Sequence, residues 1–255
     1  MTASRYLPKL ILFFSLVTPA VFAKAHLAVL LERGDTAFGK RNQKEALKRA
    51  LSFYKEAQSR FPQSSEAAWK YSMALHSLAT RFTEEEATRQ SLFHQGVEIA
   101  KTAATREPDC GPCQFWTAIH MAQYGELAGI FKMISTLSEI KERLEQAALL
   151  SPEHAMGGPY RVLGTIYQSL PGILGGDNDK AISYFQKAVA IVPNEAINYL
   201  PLAKLKAIEG DLTSAWNIAK AGLQMKDSAK DPISLESKET LPELSQIITT
   251  MVAEN

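Results

Sequence analysis

Four prolines recur along the chain at intervals of 46, 44 and 41 residues, and an alanine stands five positions before each of them. The prolines are Pro62, Pro108, Pro152 and Pro193, and the alanines are Ala57, Ala103, Ala147 and Ala188. The residue three positions before each alanine is also apolar, which places the two on one face of a helix that the proline ends. An aromatic residue follows each proline within six to eight positions and indicates the next helix. The chain is therefore predicted to repeat a helical pair.

This pattern predicts an all-α solenoid of the tetratricopeptide kind, with about five helix pairs and a C-terminal capping helix. The small alanine lets two helices approach closely, and the aromatic residue packs into the next pair. The fourth repeat is the clearest, with Tyr160, Leu163, Gly164, Tyr167, Phe185, Ala188 and Pro193 in consensus order. The predicted helices cover residues 25–38, 43–60, 65–80, 84–105, 112–125, 127–150, 158–169, 178–191, 195–208, 212–225 and 238–252.

The first residues follow a different pattern, typical of a secretory signal peptide. Arg5 and Lys9 precede an apolar run over 10–17, and Pro19 and small residues follow it. We expect cleavage near Ala23, which divides the chain into a signal peptide, 1–23, and a helical repeat domain, 24–255. The apolar run is shorter than the roughly 20 residues that span a bilayer. The product is expected in the periplasm if the source is bacterial, with no membrane segment after cleavage.

The net charge and the position of the first cysteine argue against binding to nucleic acid and against attachment of a lipid. Lysine and arginine number 28 against 27 acidic residues, so the formal charge of +1 creates no field that would gather nucleic acid or an anionic membrane. The first cysteine in the chain is Cys110, so the mature N-terminus has no cysteine to carry a lipid. Neither a nucleic acid partner nor a lipoprotein is predicted.

The most specific local motif is Cys110-Gly111-Pro112-Cys113, which has the Cys-x-x-Cys sequence of thioredoxin-like oxidoreductases. Redox catalysis would need a strand-to-helix turn within a mixed sheet, whereas only helical pairs are predicted around it. The alternative is a local disulfide, or a free thiol pair, that stiffens the start of a helix in an oxidising compartment. Gln114 stands where a haem-attachment motif has histidine. As a metal site the motif lacks a second pair of ligands, although His120 lies one or two turns further on.

Other motifs carry little chemistry. The glycine-rich stretch 171–177 lacks the lysine and the preceding strand of a phosphate loop, so it is interpreted as an inserted turn in which Asp177 or Asn178 caps the following helix. The five histidines form no metal-ligand pair at a spacing of three or four residues. No catalytic constellation can be assigned, and we predict a binding protein without a cofactor or a metal.

The first helices of successive pairs line the inner surface of such a solenoid, so residues on them are candidates for ligand binding. Arg161 lies between Tyr160 and Val162 and is interpreted either as a surface arginine or as a hydrogen-bond donor on the inner surface. The other candidates are aromatic or imidazole residues on first helices, which can equally belong to the core. They are Trp69, Trp116, His120, Tyr124, Tyr160 and Tyr167.

One stretch resembles a known family. It begins with Gly158-Pro159-Tyr160-Arg161-Val162-Leu163-Gly164-Thr165-Ile166-Tyr167, continues through Leu170-Pro171-Gly172 and Gly175-Gly176-Asp177, and ends at Pro193-Asn194. Together with Phe115-Trp116 and Tyr124-Gly125-Glu126, it is similar to the T component associated with tripartite ATP-independent periplasmic (TRAP) transporters. Eukaryotic regulators of microtubule dynamics share the Gly-Pro-Tyr-Arg run, and the signal peptide favours the bacterial branch.

The resemblance implies a solenoid of cryptic repeats that can associate as a trimer, with a pore opening on a concave face. Its implied partner is an extracytoplasmic solute-binding protein, and its implied ligands are small organic molecules, hydrophobic ones among them. Family members can be lipoproteins, and this chain departs from them in lacking the lipid-acceptor cysteine. The leading hypothesis is a periplasmic accessory subunit of such a transporter. The alternatives are an envelope assembly scaffold that grips peptide segments and a dithiol oxidoreductase using Cys110 and Cys113.

Overall fold

The computed structural model describes residues 19–225 and 234–253, and all regular elements within these ranges are helical. They are α1 (Pro19–Phe38), α2 (Lys44–Arg60), α3 (Ser65–Phe82), α4 (Glu86–Arg106), α5 (Gly111–Ala128), α6 (Ile130–Leu150), α7 (His154–Ser169), α8 (Asn178–Ile191), α9 (Tyr199–Ile208), α10 (Leu212–Leu223) and α11 (Leu235–Ala253), with short 3-10 turns at Gly172–Leu174 and Ala196–Asn198. Each helix packs on its neighbour in sequence, and α3 also packs on α5. The predicted all-α solenoid of five helical pairs with a capping helix is confirmed.

The second helices α2, α4, α6 and α8 all end in the same way, which explains the alanine–proline pattern. The residue before each proline closes its helix with a backbone N–H that donates to the carbonyl of the repeat alanine, at 2.8, 2.9, 2.8 and 3.1 Å in chain order. A residue that precedes proline is disfavoured in the helical region, so the helix cannot continue. The four alanines are almost completely buried, because the neighbouring helix lies directly against them.

A glycine on the first helix receives an aromatic ring from the second in two of the repeats. A Cβ atom at Gly34 would come within 2.3 Å of the ring of Tyr54, and one at Gly164 within 2.6 Å of the ring of Phe185. Both rings are completely buried. Tyr54 also donates a hydrogen bond of 2.7 Å to Asp35. These glycines therefore set the distance between the paired helices.

The glycine-rich stretch between α7 and α8 forms the inserted turn that the sequence predicts. Gly175 has φ +86°, a left-handed conformation in which a side chain would be strained. The side chain of Asp177 then accepts a hydrogen bond of 3.0 Å from the backbone of Lys180 and caps α8. The predicted capping role of Asp177 is confirmed.

The structure describes the predicted C-terminal capping helix but little of the predicted signal peptide. Most of the predicted signal peptide, 1–18, lies outside the described residues, and the expected cleavage position near Ala23 falls in the first turns of α1. At the other end, Leu244 is completely buried where α11 packs on α9 and α10. Within the described ranges, no helix has the length and apolar character needed to cross a bilayer.

Candidate binding surface on the first helices

Seven aromatic and imidazole rings from α3, α4, α5 and the start of α7 form one continuous group, here named the inner cluster. Its members are Trp69, His76, Phe93, Phe115, Trp116, His120 and His154. Neighbouring ring centroids lie 5.1–6.4 Å apart, and most of the pairs meet edge to face. Such geometry is favourable for aromatic pairs. Three of the first helices thus contribute to one assembly, as the repeat architecture predicts.

His120 is the most constrained ring of the inner cluster. It is completely buried, and its Nε2 lies 2.9 Å from the carbonyl oxygen of Ser72. Because a carbonyl can only accept, Nε2 carries the proton and Nδ1 is left as an acceptor. The ring fits because residue 96 is glycine, where a Cβ atom would come within 2.1 Å of it. The sequence-predicted candidate His120 is therefore locked in place by α3 and α4.

Burial keeps the three imidazoles of the inner cluster neutral at physiological pH. It lowers the pKa of His120 to about 3, and the neighbouring His76 lowers that pKa further. Burial likewise lowers the pKa of His76 and of His154 to about 4. A neutral imidazole offers one donor and one acceptor, so these residues are suited to hydrogen bonding and not to holding a positive charge.

Three buried polar atoms in the inner cluster have no hydrogen-bond partner within the described chain. They are the indole Nε1 of Trp116, Nδ1 of His120 and Nε2 of His154. Buried polar groups are normally paired, and an unpaired one costs roughly 1–3 kcal/mol. The three atoms are therefore positions at which a small polar group from a ligand or a water molecule would be stabilised. Across the described residues, no group of three histidine, cysteine or acidic side chains is arranged to hold a metal ion.

Trp69 and Tyr124, two further candidates from the sequence, lie in different surroundings. The half-buried Trp69 meets His154 edge to face at 5.2 Å and so belongs to the inner cluster. Tyr124, near the end of α5, meets the exposed His94 of α4 at 5.4 Å. The predicted set of ligand residues is thus divided, with Tyr124 outside the inner cluster.

Tyr160 and Tyr167 face the second helices. The ring of Tyr184 on α8 stacks on both, at 6.4 Å from Tyr160 and 5.5 Å from Tyr167. The ammonium group of Lys141 on α6 lies 4.6 Å from the centre of the Tyr167 ring, and Lys187 lies 5.0 Å from that of Tyr184. Tyr167 therefore lies in a separate apolar group, whereas Tyr160 also packs against the group that contains Phe115 and Trp116 of the inner cluster.

Arg161 holds a tight backbone turn at the start of α7. Ala155, Met156 and Gly157 have φ of 50°, 56° and 75°, a left-handed run that is unfavourable for residues with side chains. The guanidinium donates to the carbonyls of Met156 at 2.8 Å and Ala155 at 3.1 Å, and to the side chain of Asn198 at 2.7 Å. Burial lowers the pKa of Arg161 to about 10, so it remains charged at neutral pH. Its described hydrogen bonds are thus internal, and ligand binding by Arg161 stays a prediction.

Cys110 and Cys113 are joined in a disulfide at the start of α5. Cys110 occupies the N-cap position, and its sulfur accepts from the backbone N–H of Cys113 at 3.2 Å. The sulfur-bearing side chain of Cys113 is completely buried against Ala68 and its neighbours. Of the two structural interpretations of this motif, the disulfide is the one present.

Sequence reasoning missed several residues that matter here. His76, Phe93, Phe115 and His154 were not predicted as members of a site. Trp116 and His120 are four residues apart on one helix, a spacing that a helical face makes visible in the sequence. His154 follows the turn after α6 and meets Trp69 from 85 residues away, so only the packing of three repeats reveals it.

The fold and this surface define the class, a tetratricopeptide-like helical-repeat protein. The solved structure of TTC0263, a thermophilic tetratricopeptide protein of Thermus thermophilus, is similar with a TM-score of 0.63 and 18% sequence identity. The similarity covers 86% of this chain and 99% of that one. At such low identity it shows the fold alone.

The chain belongs to the regulator of microtubule dynamics protein 1-3 family, whose model matches residues 30–158, half of the sequence. Two relatives, regulator of microtubule dynamics protein 3 of Mus musculus and of Rattus norvegicus, are 30% and 32% identical over 89 residues. These residues make up 35% of this chain and 19% of each relative, so the chain spans about a fifth of their length. The region matched by the family model contains every residue of the inner cluster.

Proposed function

We propose that this chain is a non-catalytic binding protein that docks a partner on the surface formed by its first helices. The observation that carries the proposal is the stack of five helical pairs, an architecture that creates extended concave binding surfaces. The inner cluster adds the half-buried rings of Trp69, His76 and His154, while its other four rings are buried. Aromatic side chains with a polar handle are enriched where proteins bind one another.

As the particular partner we propose an extracytoplasmic solute-binding protein of a TRAP transporter. The block from Gly158 to Asn194 supports this through its resemblance to the transporter's T component. The N-terminal signal pattern and the Cys110–Cys113 disulfide support an oxidising compartment outside the cytoplasm. In this role the protein passes a small organic ligand and acts as a monomer or homotrimer. An envelope scaffold that grips peptide segments is the alternative with the same surface.

The test is affinity capture from an envelope extract, with the chain from Lys24 as bait and mass spectrometry as the readout. Trp69→Ala removes a half-buried ring from the inner cluster, whereas Trp216→Ala removes a half-buried ring from α10 as a matched control. We expect a solute-binding protein with the unaltered bait and the control, and much less with Trp69→Ala. Recovery of secretion or cell-wall machinery alone would favour the scaffold.

Family membership gives a second candidate, binding to microtubules, because the relatives are named as regulators of microtubule dynamics. Co-sedimentation with polymerised tubulin separates it from the leading proposal. We expect the chain to stay in the supernatant. Saturable pelleting that Trp69→Ala weakens and Trp216→Ala leaves unchanged would replace the transporter by the cytoskeletal partner.

The non-catalytic part of the proposal has its own test. Replacing Cys110 and Cys113 with serine removes the disulfide and keeps every ring of the inner cluster, of which Trp69 packs in the same apolar group as Cys113. We expect partner capture to be unchanged, because a disulfide closing so short a loop restrains little chain entropy. Loss of function with an unchanged circular dichroism spectrum would favour dithiol chemistry.

A further inference from the structure

The last helix, α11, makes three kinds of contact. At its start, Ser234 and Ser237 donate hydrogen bonds to Glu195, and Ser237 accepts one from the backbone N–H of Ile197. The apolar face of α11 packs on α9 and α10 around the buried Leu244.

The first turns of α11 extend Glu236 and Glu239 to two arginines from the other end of the chain, Arg41 and Arg81. Arg41 lies in the turn after α1, and Arg81 lies in the last turn of α3. We name these two arginines the arginine clamp.

Each arginine of the clamp donates a pair of hydrogen bonds to one carboxylate, Arg41 to Glu236 and Arg81 to Glu239. The guanidinium of Arg81 donates to both oxygens of Glu239 at 2.8 Å, and one of its nitrogens also reaches Glu236 at 3.3 Å. Arg41 donates from Nε to Glu236 at 2.9 Å and from a second nitrogen to its other oxygen. Paired donors of this kind fix both the position and the orientation of a carboxylate. Glu236 and Glu239 are three residues apart and so lie on one face of α11.

Repeat one holds Arg41 independently of α11, whereas the described hydrogen bonds of Arg81 all go to α11. The guanidinium of Arg41 lies 4.9 Å from the centre of the Phe38 ring and donates to the Phe38 carbonyl at 3.3 Å. Arg81 stands at the C-terminal end of α3, where the helix dipole favours a positive charge. The side chains of Arg41 and Arg81 are 13% and 23% exposed, so each is partly desolvated and benefits from a matching anion.

The contact between α11 and the arginine clamp is ionic. The apolar residues of α11 pack with α9 and α10, and the apolar group around α1, α2 and α3 contains no residue of α11. Opening the contact therefore exposes charged groups but no apolar core. A partly buried arginine left alone is unfavourable, whereas a competing carboxylate pair restores the same bonds. The contact is thus one that an external segment of the same chemistry can replace.

We propose that the arginine clamp is a docking site for a partner's acidic helix, one that presents two carboxylates three residues apart, and that α11 occupies the site in cis. The inference rests on the binding function proposed above and names the surface and the chemistry of the partner. Charge complementarity indicates which partner fits, because the two guanidinium groups match two carboxylates on one face of a helix. Docking of the partner frees the side chains of Glu236 and Glu239. The hydrogen bonds of Ser234 and Ser237 to Glu195 and the apolar face of α11 keep the helix in place.

A labelled peptide tests the proposal by fluorescence anisotropy on the chain from Lys24 to Asn255. The probe is an alanine-based helical peptide with two glutamates three residues apart, and the matched peptide has glutamines there. Glu236→Gln together with Glu239→Gln empties the arginine clamp. We expect this double variant to bind the glutamate peptide at least tenfold more tightly than the unaltered chain does, and the glutamine peptide to bind neither.

Further replacements identify the binding residues. Adding Arg41→Gln and Arg81→Gln to the double variant should abolish binding, and adding Arg41→Lys and Arg81→Lys should weaken it while retaining charge. The lysine version, checked by circular dichroism, keeps the test valid if the glutamine version fails to fold. Equal binding to the unaltered chain and the double variant, or binding that survives loss of both arginines, would overturn the proposal. Displacement of the peptide by inorganic phosphate at low millimolar concentration would also overturn it, since the site would then be a general anion site.

The outcome is separable from that of the capture experiment. If the peptide fails to bind while Trp69→Ala still prevents partner capture, the inner surface binds the partner and the arginine clamp only braces α11. If the peptide binds as expected but no partner is captured from an envelope extract, the docking chemistry stands and the transporter partner is wrong.

Discussion

The inner cluster and the arginine clamp both join distant repeats, but they do so with opposite chemistry. The inner cluster brings together rings from α3, α4, α5 and α7 with neutral imidazoles among them. The arginine clamp joins α11 to the turn after α1 and to the last turn of α3 through guanidinium and carboxylate groups. Burying apolar surface is favourable by roughly 25 cal/mol per Å². The side chains of Arg41, Arg81 and Glu236 are 13–25% exposed, so the cost of desolvating them offsets part of the attraction between the charges. The first therefore fixes the solenoid, and the second can exchange.

Lowering the pH should destabilise the inner cluster much more than the arginine clamp, and this is the largest of the expected effects. The histidine pKa values of the inner cluster lie below the ordinary 6.5, so the unfolded chain takes up protons first and stability falls as the pH drops from about 6.5 towards 4. At ~1.4 kcal/mol per pKa unit, we expect a loss on the order of 5 kcal/mol between pH 7.5 and 5. Urea titrations at several pH values measure it.

Two controls test the cause of this pH effect: the replacement of one histidine, and the titration of Glu236 at the arginine clamp. His154→Phe keeps a ring beside Trp69 and Phe115 and should flatten the pH dependence by about one proton. In the folded chain, burial raises the pKa of Glu236, but the hydrogen bond and charge of Arg41 outweigh this and hold it below its usual value. The contribution of Glu236 is therefore lost only below about pH 4.5. A flat profile from pH 7.5 to 5 would contradict neutral buried histidines.

Gly96→Ala should be the most damaging small substitution in the inner cluster. The added Cβ would lie 2.1 Å from the ring of His120, which is completely buried and hydrogen-bonded to the Ser72 carbonyl. Overpacking of this kind costs typically 1–3 kcal/mol, and we expect about 3 kcal/mol here. Thermal unfolding followed by circular dichroism measures the effect. Gly172→Ala, which has no atom within 4 Å, is the matched control and should change stability by less than about 0.5 kcal/mol.

Arg161→Lys should have an intermediate effect, because Arg161 uses a guanidinium for internal structure whereas the arginine clamp uses its own for an exchangeable contact. An ammonium group cannot reproduce the fork to Ala155, Met156 and Asn198. We expect a loss of about 2 kcal/mol and faster amide exchange over residues 154–158. Arg60→Lys, in an exposed pair with Glu56, should be nearly neutral. Equal effects of the two replacements would argue against the structural role of Arg161.

Glu239→Gln should have the smallest effect on stability. Its side chain is 45% exposed, so we expect a change within about 1 kcal/mol, with faster amide exchange over residues 235–240. Raising NaCl to about 0.5 M should act in the same direction, since salt screens ion pairs. Hydrogen exchange and urea titration measure the two quantities separately. A loss above about 3 kcal/mol would show that the arginine clamp is part of the core.

The sequence predicted the architecture because its signals are local. An alanine at the helix contact, a proline five residues later and an aromatic residue in the next helix recur in the first four repeats, and every predicted helix is present. Helix α1 already covers residues 19–24, ahead of the predicted start at residue 25. The candidate site was predicted only in part: Trp69, Trp116 and His120 belong to the inner cluster, while Tyr160 and Tyr167 pack towards Tyr184.

The sequence by itself determined the helical pairs, their order and the capped turns, because these depend on neighbours within about one repeat. Only the tertiary structure decided which surface each side chain joins. The curvature of the stack brings Glu236 to Arg41, 195 residues away, and the packing of three repeats places His154 on Trp69. Such contacts depend on small rotations accumulated from repeat to repeat, which no short stretch of sequence encodes.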